Sequence, residues 1–112
     1  MRAPPTPTGI SAEQLKDLLD DDEAFHLVDT RDRASFDGWR IGGATRFSYK
    51  PDHEFDAAAF TAETGIDATE PVVTICAKGK ASRALAVALA DAGFGDVRFV
   101  EDGMRGWSGV YD

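Results

Sequence analysis

Cysteine is nearly absent from this chain: of 112 residues only Cys76 carries a thiol. One cysteine excludes an internal disulfide framework and a cysteine-built zinc site. Lysine is scarce as well, with four residues among twelve basic ones, while fourteen of the twenty acids are aspartate. The resulting formal net charge of −8 argues against broad contact with a nucleic-acid backbone. A Lys-poor, Asp-rich balance is also that of proteins from salt-adapted organisms. No apolar run approaches the roughly 20 residues of a membrane span. The start, Met1-Arg2-Ala3-Pro4-Pro5-Thr6-Pro7-Thr8, lacks the apolar core of a secretion signal and predicts a cytoplasmic protein. There is no G-x-G-x-x-G run, so the glycine-punctuated stretch Gly38 to Ala44 is not a dinucleotide fingerprint. Two distant histidines, His26 and His53, complete no metal set with one cysteine.

What is present is an ordinary globular balance, 43% hydrophobic and 29% charged, in a length that suits one core. Residues 1–8 read as a flexible Pro-rich tail and residues 9–112 as one domain. Ser11 and Gln14 form a capping-box pair, with Ile10 and Leu15 as a hydrophobic staple, so a helix starts there and ends in the solvated run Asp20-Asp21-Asp22. Phe25 to Val28 predicts a strand, Ala34 to Phe36 a helical turn and Ala44 to Ser48 another strand. Asp56 caps a helix ending near Gly65. The run Val72 to Ile75 is a buried strand, followed by a helix from about Ala81 to Ala92 whose Leu85, Ala88, Leu89 and Ala92 share one face. Gly93 and Phe94 close that helix, and Val97 to Val100 is a last strand before a turn at Gly103 to Trp107, with Trp107 as a lid on the core. Strands alternating with helices predict a doubly wound, mostly parallel α/β sheet of about five strands with helices on both faces.

In such a sheet the carboxyl ends of the strands line a crevice. Cys76 falls there, between a buried strand and a helix N-terminus, in an exposed loop with Ala77, Lys78, Gly79, Lys80, Ala81, Ser82 and Arg83. The helix dipole and three basic side chains favour the thiolate, the reactive form, and the small residues let backbone N–H groups turn inward around an anion. That anion is either a sulfur-derived species, a persulfide on Cys76, or a phosphate. No histidine or aspartate in the loop suggests a papain-like base. Asp29 and Arg31, at the end of an earlier strand, are candidates for the same crevice, either as site residues or as an ion pair that ties the turn.

Five segments in order resemble the signature of single-domain rhodaneses, the sulfurtransferase family. They are Leu27 to Arg31, Phe36 to Ala44, Val72 to Ser82, Gly93-Phe94 with Val97, and Gly103 to Trp107. The resemblance implies a persulfide on Cys76 and a supporting role for Asp29 and Arg31 beside the loop, with no cofactor and no metal. It further implies a small sulfur-containing anion such as thiosulfate as donor, and cyanide, a small thiol or a sulfur-relay protein as acceptor. The chain departs from the family pattern at Ala81, where many catalytic members carry an arginine, and at Arg40 and Gly42, where a histidine-proline pair is usual. Two other readings stand beside this one. A phosphatase would need an arginine six residues after the cysteine, where Ser82 stands; a non-catalytic binding module would keep the fold and use the loop to dock an anion or partner.

Overall fold

A computed structural model of the chain describes residues 6–111, with side chains as far as residue 107. The local signals in the sequence account for most of its elements. Helix α1 (Ala12–Asp20) starts at a complete capping box: the Gln14 N–H donates to Ser11 Oγ at 3.1 Å, and the Ser11 N–H donates to Gln14 Oε1 at 2.8 Å. Two otherwise unpaired N–H groups are satisfied in this way. The aspartate run ends the helix, with Asp22 in the left-handed conformation at φ 55°. Strand β2 (His26–Asp29), the short helix α2 (Arg33–Gly38), strand β3 (Thr45–Arg46) and helix α3 (Ala57–Thr64) follow. Asp56 caps α3, its Oδ1 accepting the Ala59 N–H at 3.1 Å. Strand β4 (Val72–Ile75) leads to helix α4 (Lys80–Asp91). At its end Gly93 donates to the Ala90 carbonyl and Phe94 to the Leu89 carbonyl, a Schellman closure. Strand β5 (Val97–Val100) and helix α5 (Gly103–Tyr111) complete the chain.

The sheet is fully parallel. A first strand, β1 (Thr8–Ile10), adds to its edge, giving the order β1-β5-β4-β2-β3. That strand is unpredicted because three residues that include a glycine show no period; backbone pairing to β5 makes it. Thr8, assigned to the tail, therefore belongs to the sheet, while residues 1–5 lie outside the described residues. Strand β3 is shorter than the predicted Ala44 to Ser48. Phe47 and Tyr49 still donate to the carbonyls of Asp29 and Thr30, so the segment tracks β2 past the end of the ladder.

Alternation along the strands divides two cores. Leu27, Val73, Ile75 and Val100 pack with Leu15 of α1 and Trp107 of α5 on one face. Val28, Val72 and Val97 pack with Phe60 of α3 and Leu85 and Leu89 of α4 on the other. Helices thus cover both faces, and Trp107 is buried as expected. The buried face of α4 is rotated from the predicted one: it carries Ser82, Leu85, Ala86, Leu89 and Ala90, whereas Ala92 is exposed. Among the described residues no helix is long and apolar enough to cross a membrane.

Candidate active site

The buried central strand β4 ends at Ile75, and the next residue is Cys76. Backbone hydrogen bonds set the loop that follows. The N–H groups of Met104 and Arg105, at the start of α5, donate to the carbonyls of Cys76 at 2.7 Å and Ala77 at 3.1 Å. The carbonyls are held behind the loop by these bonds, and N–H groups are left for the thiol side. Two glycines make the close approach possible. At Gly79, φ is 107° and an added Cβ would stand 2.0 Å from the Glu101 carbonyl oxygen; at Gly103, φ is 59° and a Cβ would stand 2.3 Å from the Cys76 oxygen. Only glycine fits both the conformation and the space.

Cys76 Sγ receives the Gly79 N–H at 3.0 Å and the Ser82 N–H at 3.3 Å, and lies 3.4 Å from Ser82 Oγ. The Ser82 hydroxyl is also 3.2 Å from the Gly79 carbonyl, to which it donates. The thiol therefore donates to Ser82 Oγ while that hydroxyl donates to Gly79; when the thiol ionises, the hydroxyl rotates and donates to sulfur. A neighbouring polar tie holds this helix start in place: Thr74 Oγ1, wholly buried, donates to the Ser82 carbonyl at 2.8 Å.

The loop differs from the sequence expectation in two respects. Cys76 is buried, with 5% of its surface exposed, because the loop folds over it; the exposed residues are Ala77, Lys78 and Lys80. Burial pushes the thiol pKa up, but the Ser82 hydroxyl and the N–H groups of Ser82, Gly79 and Lys78 outweigh it and hold the thiol below its ordinary value. Hydrogen bonds acidify this thiol rather than the charges of Lys78, Lys80 and Arg83. The second correction concerns Arg83, which does not border the cavity at Cys76. It lies on the exposed side of α4 with its guanidinium 5.6 Å from the centroid of the Phe99 ring.

That cavity, about 380 Å³, brings Cys76, Ala77, Lys78, Lys80 and Ala81 together with Thr30 and Arg31 from the end of β2. Asp29 lies beneath it, wholly buried. Its carboxylate takes the Arg31 backbone N–H at 3.0 Å, Nε at 3.0 Å and Nη2 at 2.8 Å, and Nη2 also reaches the Trp39 carbonyl at 2.6 Å. The two alternatives for this pair merge, since the ion pair that ties the turn also fixes Arg31 at the cavity wall. Ser48, Tyr49 and Lys50 form part of the wall and were not anticipated. Their position just past β3, at the carboxyl edge of the sheet, was the available signal. Lys50, Lys78 and Lys80, three of the four lysines of an acidic chain, border this one cavity.

Such a cavity suits a small anion that reacts at sulfur. The Rhodanese-like domain family model matches residues 11–109. Two curated relatives are thiosulfate sulfurtransferases GlpE. The one from Actinobacillus succinogenes is 31% identical over 100 residues, covering 89% of this chain and 83% of that protein. The one from Pseudoalteromonas translucida is 29% identical over 102 residues, covering 91% and 90%. A rhodanese-like domain protein from Staphylococcus aureus shares the fold with a TM-score of 0.72, at 23% identity over 89% of this chain and 90% of that one.

Proposed function

Because the chain belongs to the rhodanese-like domain family, we propose that it is a sulfurtransferase or sulfur carrier that moves a sulfane sulfur through a persulfide on Cys76. The observation that carries this reading is the pair of N–H donors from Gly79 and Ser82, with the Ser82 hydroxyl beside them, around one buried sulfur at the floor of a lysine-lined cavity. These two N–H groups are fixed before reaction and stabilise the thiolate without reorganisation, and rotation of the Ser82 hydroxyl adds a third donor. With thiosulfate, the Cys76 thiolate attacks the outer sulfur; a new S–S bond forms, the bond to the sulfonate sulfur breaks with its electron pair, and sulfite leaves. An acceptor thiolate, or cyanide, then attacks the outer sulfur of the persulfide, and the electron pair of the S–S bond returns to Cys76. Lys78, Lys80, Lys50 and Arg31 supply the positive charge that draws the donor anion in. A cytoplasmic setting, which keeps a lone thiol reduced, fits this chemistry.

Ala81 leaves no guanidinium to grip a sulfonate with two parallel bonds, and lysine is a point charge. Donor binding therefore rests on the lysines together with Arg31 at the cavity wall. The phosphatase alternative has no support in the geometry, because its arginine position is Ser82, closed against the thiol.

The test is formation of thiocyanate from thiosulfate and cyanide. Wild type turns over, and Lys80→Ala lowers kcat/KM by about threefold to tenfold, the scale of one partly exposed charge interaction. Lys16→Ala, on α1 and paired with Asp20, leaves it unchanged. Equal rates for both variants would show that loop charge is not used. No turnover or sulfur uptake with any donor would leave an anion-docking module in place of an enzyme.

A further inference from the structure

Thr30 follows Asp29 at the end of β2, and its backbone is tied on both sides. Its N–H donates to the Ile75 carbonyl at 2.8 Å, and its carbonyl accepts the Tyr49 N–H at 3.4 Å. The parallel register pairs Val28 with Thr74 and Asp29 with Ile75, so one step further Thr30 lies level with Cys76. Neighbouring strands stand about 5 Å apart. Alternation puts Thr30 and Cys76 on the same face of the sheet, the one that carries Val28 and Thr74. Thr30 is 3% exposed and borders the cavity that holds Cys76. Among the described residues, its Oγ1 is the one buried side-chain oxygen or nitrogen without a hydrogen-bond partner.

A buried hydroxyl without a partner is destabilising, and valine has the same shape without that penalty. Native interiors seldom leave such a group unmatched, so its partner is sought in a state of the site not yet formed. The thiol is not that partner, since Sγ takes its bonds from Gly79 and Ser82. A sulfur atom bonded to Sγ extends the side chain by about 2 Å, the length of an S–S bond, beside a cavity that Cys76 and Thr30 both border.

We propose that the Thr30 hydroxyl is a hydrogen-bond donor to the outer sulfur of the Cys76 persulfide, selecting the sulfur-loaded state over the free thiol. This assignment rests on the persulfide reading of the site. The outer sulfur carries the negative charge once the persulfide ionises, and a hydrogen bond to a charged acceptor is among the stronger ones a protein makes. Thr30 is thus a specificity residue for sulfur loading, while Gly79 and Ser82 serve the thiolate.

The experiment equilibrates the full-length protein with fixed ratios of glutathione persulfide to glutathione and measures loaded and free Cys76 by intact mass. In this exchange the glutathione thiolate takes the outer sulfur and the electron pair of the broken S–S bond returns to Cys76, so the reaction balances without an oxidant. Thr30→Val is expected to lower the loaded-to-free ratio about tenfold, the scale of one hydrogen bond to a charged group. Thr30→Ser, which keeps the hydroxyl, stays within about twofold of wild type on the same basis. The pH midpoint of alkylation of the free thiol is unchanged in Thr30→Val, and its melting temperature is equal to or above that of wild type, because the orphan oxygen is gone. Equal loaded-to-free ratios in wild type and Thr30→Val would overturn the assignment while leaving the persulfide intact. So would a loss in Thr30→Ser as large as in Thr30→Val, or a shifted alkylation midpoint, which would place the effect on the loop. If wild type takes no sulfur from any donor, the persulfide reading itself fails and this assignment goes with it.

Discussion

Gly79→Ala is expected to lose about 3–5 kcal/mol of stability and with it the sulfur-transfer reaction. The methyl group would have to occupy a point 2.0 Å from the Glu101 carbonyl oxygen and 2.9 Å from its carbonyl carbon, both backbone atoms. It would also hold a non-glycine residue at φ 107°. Neither burden can be relieved locally. Moving the loop forward withdraws the Gly79 N–H from Cys76 Sγ, and moving the Glu101 segment back disturbs the start of α5, which holds the Cys76 and Ala77 carbonyls. The same withdrawal removes one of the bonds that keep the thiol pKa below its ordinary value, so the alkylation midpoint rises toward that of a free thiol. Urea unfolding and pH-dependent alkylation measure the two effects. Gly42→Ala is the control: an added Cβ there meets nothing within 4 Å, and a near-neutral result is expected. A Gly79→Ala protein with wild-type stability and midpoint would remove the close approach from the explanation.

Asp29→Ala is expected to cost about 3–5 kcal/mol, the range for breaking a buried ion pair by removing one partner. The carboxylate side chain is 1% exposed and that of Arg31 11%. Three donors of Arg31 lose their acceptor at once, among them the backbone N–H of the turn. Arg31 then keeps only the Trp39 carbonyl and no longer has a fixed place at the cavity wall. The KM for an anionic donor should rise together with the loss of stability. Urea unfolding tests the first effect, and a cost below about 1 kcal/mol, the range of surface pairs, would contradict the burial argument.

Local signals in the sequence were strong where a structure closes on itself within a few residues. Ser11 with Gln14, Asp56 with Ala59, and Gly93 with Phe94 each satisfy backbone groups next to them in the chain, and each is found as read. Val72–Ile75 and Val97–Val100 are rich in the β-branched and aromatic residues that favour strands. The order strand, cysteine, glycine, serine, helix marked the site for the same reason. What escaped depended on contacts between distant segments. Gly103 backs the Cys76 loop from 27 positions away, and nothing near it in sequence says so. Lys50 reaches the cavity because its segment follows β2, and Thr30 because β2 pairs with β4. Arg83 was misplaced because proximity to a cysteine in sequence says nothing about direction: three residues past Lys80, it turns to Phe99 instead of the cavity. The same limit explains the thiol. A loop of small and basic residues reads as exposed, yet the backing by α5 folds it over Cys76, and hydrogen bonds do what charge was expected to do.

The central claim is that Cys76 carries a sulfur atom, and intact-mass measurement addresses it most directly. Wild type and Cys76→Ala are incubated with thiosulfate and, separately, with a small persulfide donor, then analysed before and after treatment with a reducing thiol. The account predicts a gain of one sulfur atom on wild type, removed by the thiol, and no gain on Cys76→Ala. No gain on wild type with either donor, or an equal gain on Cys76→Ala, would contradict it.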